Sequence, residues 1–284
     1  MSGSADPTNL ARVRRYYDCS ESRLGYTYLL GGTKHFGWYE PGVSMWSFGA
    51  AMRRMEDELA KRLALQPDSL VLDAGCGTGA VARALAQRSR LRVIGIDILD
   101  WNLQIARKRS EAARLTDRVK FQLGDYHKLE FPNDSFDGAY TMETLVHAAD
   151  STAVLGEFFR VLRPGGRLVL FEYAHPPKGA VPRDAWDALE RVCDLAAMPA
   201  WLEFEDGVVD DRLEKAGFAE VSTENVTPRM LPMLHAFYLM GRFPYFVGRT
   251  IGKVEKTVNS MSGVEMYKHQ AAWSYNITFA TKPK

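Results

Sequence analysis

Three acidic residues and three glycines set the chemical question. The stretch VLDAGCGTGAVARAL, Val71 to Leu85, places Asp73 just before Gly75, with Gly77 and Gly79 at the next alternate positions. Glycine at such a turn admits positive φ and lets a ligand approach the backbone. A helix starting there adds free N–H groups and the positive end of its dipole. The spacing, with Ala80 in third place, meets the permissive form of the dinucleotide fingerprint. Asp73 argues against a pyrophosphate, because like charges would face each other across the loop. Asp97 closes the next apolar run and Asp125 the one after it. A carboxylate at the first of these positions can take both hydroxyls of a ribose. Acids at three successive strand ends therefore suit a cationic nucleoside better than a dinucleotide. S-adenosylmethionine is such a ligand.

The elements that must hold these residues follow from periodicity. SLVLDA, LRVIGID, RVKFQLGD, FDGAYT and RLVLFEY read as strands one to five. GAVARALAQR, LDWNLQIARKRSEAARL and STAVLGEFFRVLRPGG read as the helices between them. This alternation predicts an α/β fold with a parallel sheet, helices on both faces and right-handed crossovers. Upstream, Met52, Met55, Leu59 and Leu63 recur at helical spacing. Residues 1 to about 15 are polar and expected to fray. From Tyr16 to Gly42 a lid with short helices is expected. Beyond Tyr173 a Pro/Gly-rich joint leads to helical segments and a sixth strand, FAEVSTENVT. MLPMLHAFYLMGRFPYFVGRTIG is apolar, and Pro232 and Pro244 are expected to break it. WSYNITFAT alternates like a final edge strand. The division is 1–45 as lid, 46–175 as ligand-binding core, and 176–284 as a cover carrying the last strands.

Composition excludes several classes. The 284 residues carry a formal charge of +1, which gives no electrostatic case for nucleic acid. Cys19, Cys76 and Cys193 form neither a disulfide framework nor a zinc cluster, so a reducing, cytoplasmic setting is expected. Within the glycine loop, Cys76 reads as a small filler. No secretory signal or transmembrane run is recognised. No metal site emerges from the scattered histidines.

The segments VLDAGCGTG, VIGIDI, GDYHKLEFPNDSFDGAYTMETLVHAAD and EFFRVLRPGGRLVLFEY resemble the ordered motifs of class I S-adenosylmethionine-dependent methyltransferases. The resemblance implies a Rossmann-like fold: a mostly parallel seven-stranded sheet, an N-terminal lid and a C-terminal helical cover. It implies that Asp73, Gly75 and Gly77 line the methionine part, with Gly79 supporting the turn. It assigns Asp97 to the ribose, Ile98 to adenine packing, Asp125 to the adenine amino group with Tyr126 beside it, and Met142 and Glu143 to the neighbourhood of the methyl group. METLVHAAD and KHFGWYEPG are similar to segments of a small-molecule branch that includes sterol 24-C-methyltransferases and tocopherol methyltransferases. CSESRLGYTYLLGGT departs from the sterol motif between the lid pieces.

The activity expected is methylation of a lipophilic small molecule of terpenoid or polyketide type, in secondary metabolism. O-methylation is favoured. The alternatives are C-methylation of a sterol or isoprenoid and a cyclase or binding protein that retains the cofactor. Glu143 is read as facing the sulfonium and His147 as the base, on one face if the segment is helical. Tyr17, His35, Phe36 and Tyr39 on the lid, and Phe237 and Tyr238 on the cover, are candidate substrate contacts. Membrane contact is expected to be peripheral at most.

Overall fold

The computed structural model describes residues 7–18, 21 and 31–284. The lid stretch between 22 and 30 and Cys19 lie outside the described residues.

Of the stretch expected to fray, residues 7 to 15 lie instead in helix α1, Pro7–Asp18. Val13 and Tyr16 share one face of it and are buried. Helix α2, Phe48–Leu63, buries Met52, Met55, Leu59 and Leu63 as their spacing predicts. The alternating core follows: β1 Leu70–Ala74, α3 Ala80–Arg88, β2 Arg92–Asp97, α4 Asp100–Ala112, β3 Val119–Leu123 and β4 Phe136–Met142. After a 3-10 turn at Leu145–His147 come α5 Ser151–Val161 and β5 Leu162–Ala174. Then follow α6 Arg183–Leu195, a 3-10 turn at Pro199–Glu203, α7 Val208–Ala216, β6 Ala219–Asn225, α8 Thr227–Thr250, α9 Val258–Lys268 and β7 Ser274–Thr281. The strands form one seven-stranded sheet in the order β3-β2-β1-β4-β5-β7-β6. The first five strands are parallel, while β7 runs antiparallel to both β5 and β6. The fold is the Rossmann-like α/β class expected.

Two expectations need correction. WSYNITFAT is not an edge: β7 lies inside the sheet, with Tyr275, Ile277 and Ala280 buried. The edge is β6, whose side chains are almost all exposed. The apolar cover segment is not broken either, since α8 runs unbroken past Pro232 and Pro244. Each proline removes one helical N–H, and close packing against α9 holds the helix together. A Cβ on Gly241 would lie 2.8 Å from the Ser260 carbonyl oxygen, and one on Gly248 2.5 Å from the Thr257 hydroxyl. Only glycine permits that approach.

The turn after β4 is anchored by a buried acid that the motifs do not mark. Glu172 in β5 accepts the backbone N–H groups of Thr144, Leu145 and Val146 at 3.1, 2.9 and 3.3 Å. Burial pushes its carboxyl up to about 7. Glu172→Ala strands three buried donors and is expected to lower the unfolding free energy by about 3 kcal/mol or more. Glu172→Gln keeps one acceptor and should lose less. Urea unfolding checks this, and a midpoint for Glu172→Ala equal to that of wild type would show that the turn holds without the acid.

Candidate active site

The carboxyl ends of β1, β2 and β4 open into a cavity walled by the glycine loop. Gly75, Gly77 and Gly79 all have positive φ, at 91, 51 and 71°. Gly75 is braced from behind, since a Cβ there would lie 2.6 Å from Thr144. Thr144 in turn donates its hydroxyl to the Ala74 carbonyl at 2.7 Å. Gly79 packs on Phe121, 2.5 Å from where a Cβ would stand, and supports the turn as expected. Gly77 meets almost nothing, with only the Lys34 side chain 3.9 Å away. Its open side belongs to the cavity.

The acids stand where the sequence reading put them. Asp73 is buried, its Oδ2 has no partner of good hydrogen-bond geometry among the described residues, and burial pushes its carboxyl up to about 7 against the nearby Tyr140 hydroxyl. Asp97 is buried and accepts the N–H groups of Gly77 and Leu99, each at 2.8 Å. Asn102 donates to it at 3.3 Å, and burial raises its pKa. Ile98, Asp125, Tyr126, Met142, Glu143 and His147 line the same cavity. Asp125 also pairs with the His127 ring at 2.6 Å. The Cys76 thiol is buried and pushed up by burial, which fits a filler.

METLVHAAD is not an α-helix. Glu143 takes a left-handed conformation at φ 58°, and a single 3-10 turn follows. Both Glu143 and His147 nevertheless reach the cavity. Glu143 accepts from the Phe36 N–H at 2.6 Å and the Tyr275 hydroxyl at 2.8 Å, and also from the Tyr173 hydroxyl. Burial pushes it up to about 7 against these three donors. His147 lies 2.7 Å from the Ala197 carbonyl through Nδ1. A carbonyl only accepts, so Nδ1 carries the proton. Nε2 then accepts from the Tyr17 hydroxyl at 3.0 Å. Burial lowers its pKa to about 4.

A second cavity of about 320 Å³ lies beside the first. Its lining is largely apolar and aromatic, including Phe36, Tyr173, Trp201, Leu234, Phe237 and Met240. Tyr17, Lys34, His35 and Glu143 line both cavities and so mark their junction. Of the weaker substrate candidates, Tyr17, His35, Phe36 and Phe237 are brought together here. Tyr39 and Tyr238 are not. The Tyr39 hydroxyl is tied to the Met45 carbonyl, and Tyr238 stacks on Tyr267 beside an outer groove. Spacing along the lid and along α8 could not show which side faces inward. The sequence reading missed Lys34, Asn102, Tyr173, Trp201 and Tyr275. A tyrosine ending the β5 motif and another in the alternating β7 pattern were the available signals. Among the described residues, no cluster of His, Cys, Asp and Glu could hold a metal ion.

A methyltransferase-domain family model matches residues 71–166. The S-adenosyl-L-methionine-dependent Diels-Alderase iccD of Talaromyces variabilis is 35% identical over 277 residues, 95% of this chain and 94% of that one. The chain belongs to the S-adenosylmethionine-dependent methyltransferase family. An O-methyltransferase of Pyrenophora dematioidea is 31% identical over 267 residues, 93% of this chain and 96% of that one. Sterol 24-C-methyltransferases are relatives as well. The [4+2]-cyclase SpnF has the same fold, with a TM-score of 0.77 at 24% identity over 99% of both chains. The cofactor of the family is S-adenosylmethionine. The residues here fit it: an orphaned buried carboxylate, Asp73, beside a glycine cradle suits a bound cation.

Two predictions follow from this geometry. Gly77→Ala should leave thermal stability within a few degrees of wild type yet weaken S-adenosylmethionine binding at least tenfold by calorimetry. Gly79→Ala should unfold at lower temperature, because its Cβ strikes Phe121. Equal behaviour of the two would mean that no ligand touches Gly77. The second prediction concerns pH. In the folded protein Asp73, Glu143 and Glu172 hold protons up to about 7, while the unfolded chain has released them above about 4 to 5. Stability without cofactor should therefore rise as pH falls from 8 to 6. Cofactor affinity should move the other way and weaken by up to about tenfold per pH unit below 7, because a cation favours ionised Asp73. Urea unfolding and calorimetry at pH 6 and 8 measure both trends.

Proposed function

We propose that the protein, with S-adenosylmethionine bound, catalyses intramolecular cyclisation of a lipophilic, polyunsaturated small molecule folded in the apolar cavity. The observation that carries this reading is the engaged state of the junction. Glu143 has three of its roughly four acceptor sites filled. Both ring nitrogens of His147 are in use. His35 donates Nδ1–H to the Phe36 carbonyl at 2.7 Å, while its buried Nε2 has no partner among the described residues and burial lowers its pKa to about 4. His147, its pKa lowered by burial to about 4, is a poor base, and Glu143, although burial raises it to about 7, is fixed by three donors, so the site is better at holding shape than at moving a proton. A [4+2] closure asks for nothing else: two π bonds are exchanged for two σ bonds, with no proton moved and no group lost. Holding diene and alkene in contact converts ordering into rate, and effective molarities of well-oriented partners can be very large. The full-length similarity to a Diels-Alderase supports the same reading.

On this proposal Asp97 takes the ribose, and Asp73, Gly75 and Gly77 take the methionine part. Ile98, Asp125 and Tyr126 hold the adenine, with Met142 and Glu143 beside the sulfonium. Bound there, the cofactor supplies a fixed positive charge and one wall of the reaction chamber. Tyr17, Phe36, Trp201 and Phe237 shape the rest. Tyr173 and Tyr275 keep Glu143 in place.

Methyl transfer to an oxygen of a lipophilic acceptor is the second reading. It is favoured by the direct meeting of the two cavities and by the O-methyltransferase relative. Its base would be His35, with Nε2 as the one unpartnered ring nitrogen at the junction.

Incubation of the enzyme with an extract of unsaturated metabolites separates the two. Cyclisation predicts an isomer of unchanged mass, formed with trideuteromethyl S-adenosylmethionine, and no turnover of the cofactor. A product carrying the trideuteromethyl group, with one S-adenosylhomocysteine released per product, would overturn the proposal in favour of methyl transfer.

A further inference from the structure

Helix α8 has two apolar sides. Leu234, Phe237, Met240 and Gly241 face inward and line the apolar cavity. Leu239, Phe243, Phe246 and Val247 point outward along the opposite side, and Ile251 caps it. Steps of four, three and one keep the helical four on one face. Phe243 is 74% and Phe246 67% exposed. Five of the seven large exposed hydrophobic side chains among the described residues stand between 239 and 251, so the patch is a feature of this helix and not a scatter over the surface.

The exposed charges on α8 itself have one sign. From Val226 to Lys253 there is no Asp or Glu. Arg242, Arg249, Lys253 and, from α9, Lys268 are exposed around it. Elsewhere arginines such as Arg62, Arg88, Arg118, Arg160 and Arg212 are held in ion pairs. Arg242 and Arg249 make none among the described residues; they lie over the rings of Tyr238 and Tyr245. Phenylalanines with a fringe of unpaired cations are the composition of an interfacial helix, which sinks its apolar side into the headgroup boundary and draws anionic lipid to its charges. The two prolines do not oppose this, since α8 stays continuous through both. Among the described residues, no helix is long and apolar enough to cross a membrane.

We propose that the outward face of α8, with Arg242, Arg249, Lys253 and Lys268, docks the protein on an anionic lipid bilayer. The inner face of the same helix then stands between the bilayer and the cavity, so a lipophilic substrate dissolved in the membrane is taken up through the helix α8 region. The docking is independent of which reaction follows, so its test needs no substrate.

The full chain is floated with vesicles of phosphatidylcholine alone and with about one third phosphatidylserine. Binding is expected with the anionic vesicles and weak with the neutral ones, and it should fall severalfold in high salt. Phe243→Asp with Phe246→Asp, and separately Arg242→Glu with Arg249→Glu, should each reduce the bound fraction at least tenfold. Unchanged S-adenosylmethionine binding by calorimetry shows that both variants are folded. Flotation of both variants equal to wild type overturns the proposal. So does a wild type that ignores anionic vesicles but dimerises in solution through this patch, seen as a monomer only for Phe243→Asp with Phe246→Asp by light scattering.

Discussion

Four carboxylates, three buried and Glu143 half-buried, stand near the carboxyl ends of neighbouring strands, and the rest of the molecule is arranged to satisfy them. Asp73, Asp97, Glu143 and Glu172 come from or follow β1, β2, β4 and β5. An ionised carboxylate out of water is costly unless donors or a cation meet it. Asp97 and Glu172 are met by backbone N–H groups. Glu143 is met by the lid, β5 and β7 together, through Phe36, Tyr173 and Tyr275. Only Asp73 keeps an oxygen without a partner. The donors thus order the loops, and on the proposed reading the unpartnered Asp73 oxygen is where a cationic cofactor would complete the site. A carboxylate that draws the lid, β5 and β7 to the end of β4 also explains how the junction between the cavities is built. Its left-handed backbone at Glu143 is the kind of local strain that surrounding contacts must hold in place.

The features legible in the sequence were those written in short-range pattern. Asp73 and the glycines sit in one loop, the strands alternate with helices, and each acid ends its apolar run, so the core and one side of the cavity could be read directly. The parts that were not legible depend on contacts between distant segments. Tyr17 reaches His147 across 130 positions, and Tyr275 reaches Glu143 across 132. Nothing local to either member announces the pair. Glu172 looked like any acid at the end of an apolar strand, and its role appears only when the β4 turn folds against it. The interior place of β7 is equally invisible, because alternation shows which side chains face the core but not which strand sits beside it. Pro232 and Pro244 misled for a different reason. Intrinsic helix propensity is a weak prior that tertiary packing overrides, and the glycine contacts of α8 with α9 supply that packing.

The lid ties the two cavities into one device. Helix α1 is fastened to the turn after β4 by Asn9, which donates to the His147 carbonyl at 2.8 Å, and by Tyr17 on the ring. Arg12 adds a surface contact to Asp194, worth little by itself. Tyr17 and Lys34 line both cavities, so the wall that closes over the cofactor is also a wall of the apolar cavity. Lys34 lies over the Tyr17 and Trp101 rings, 4.5 and 4.8 Å from their centres. On the proposed reading, cofactor and substrate share supports, and ordering by one would lower the ordering that the other must still supply.

That coupling bears on why a fold suited to methyl transfer can host another reaction. Methylation needs a cationic donor, an aligned acceptor and somewhere for a proton to go. The glycine loop and the strand-end acids provide for the first, and the apolar cavity for the second. The third depends on a few side chains at the junction. When Glu143 is given to Tyr173, Tyr275 and the lid, and His147 to Tyr17 and Ala197, the proton route narrows while the shape of the chamber becomes firmer. The same hydrogen bonds that occupy these side chains add rigidity, because an engaged side chain is also a fixed one. On the proposed reading, a few contacts around one carboxylate and one imidazole would move such a site from group transfer toward the folding and closure of a single substrate, with the cofactor cradle left unaltered.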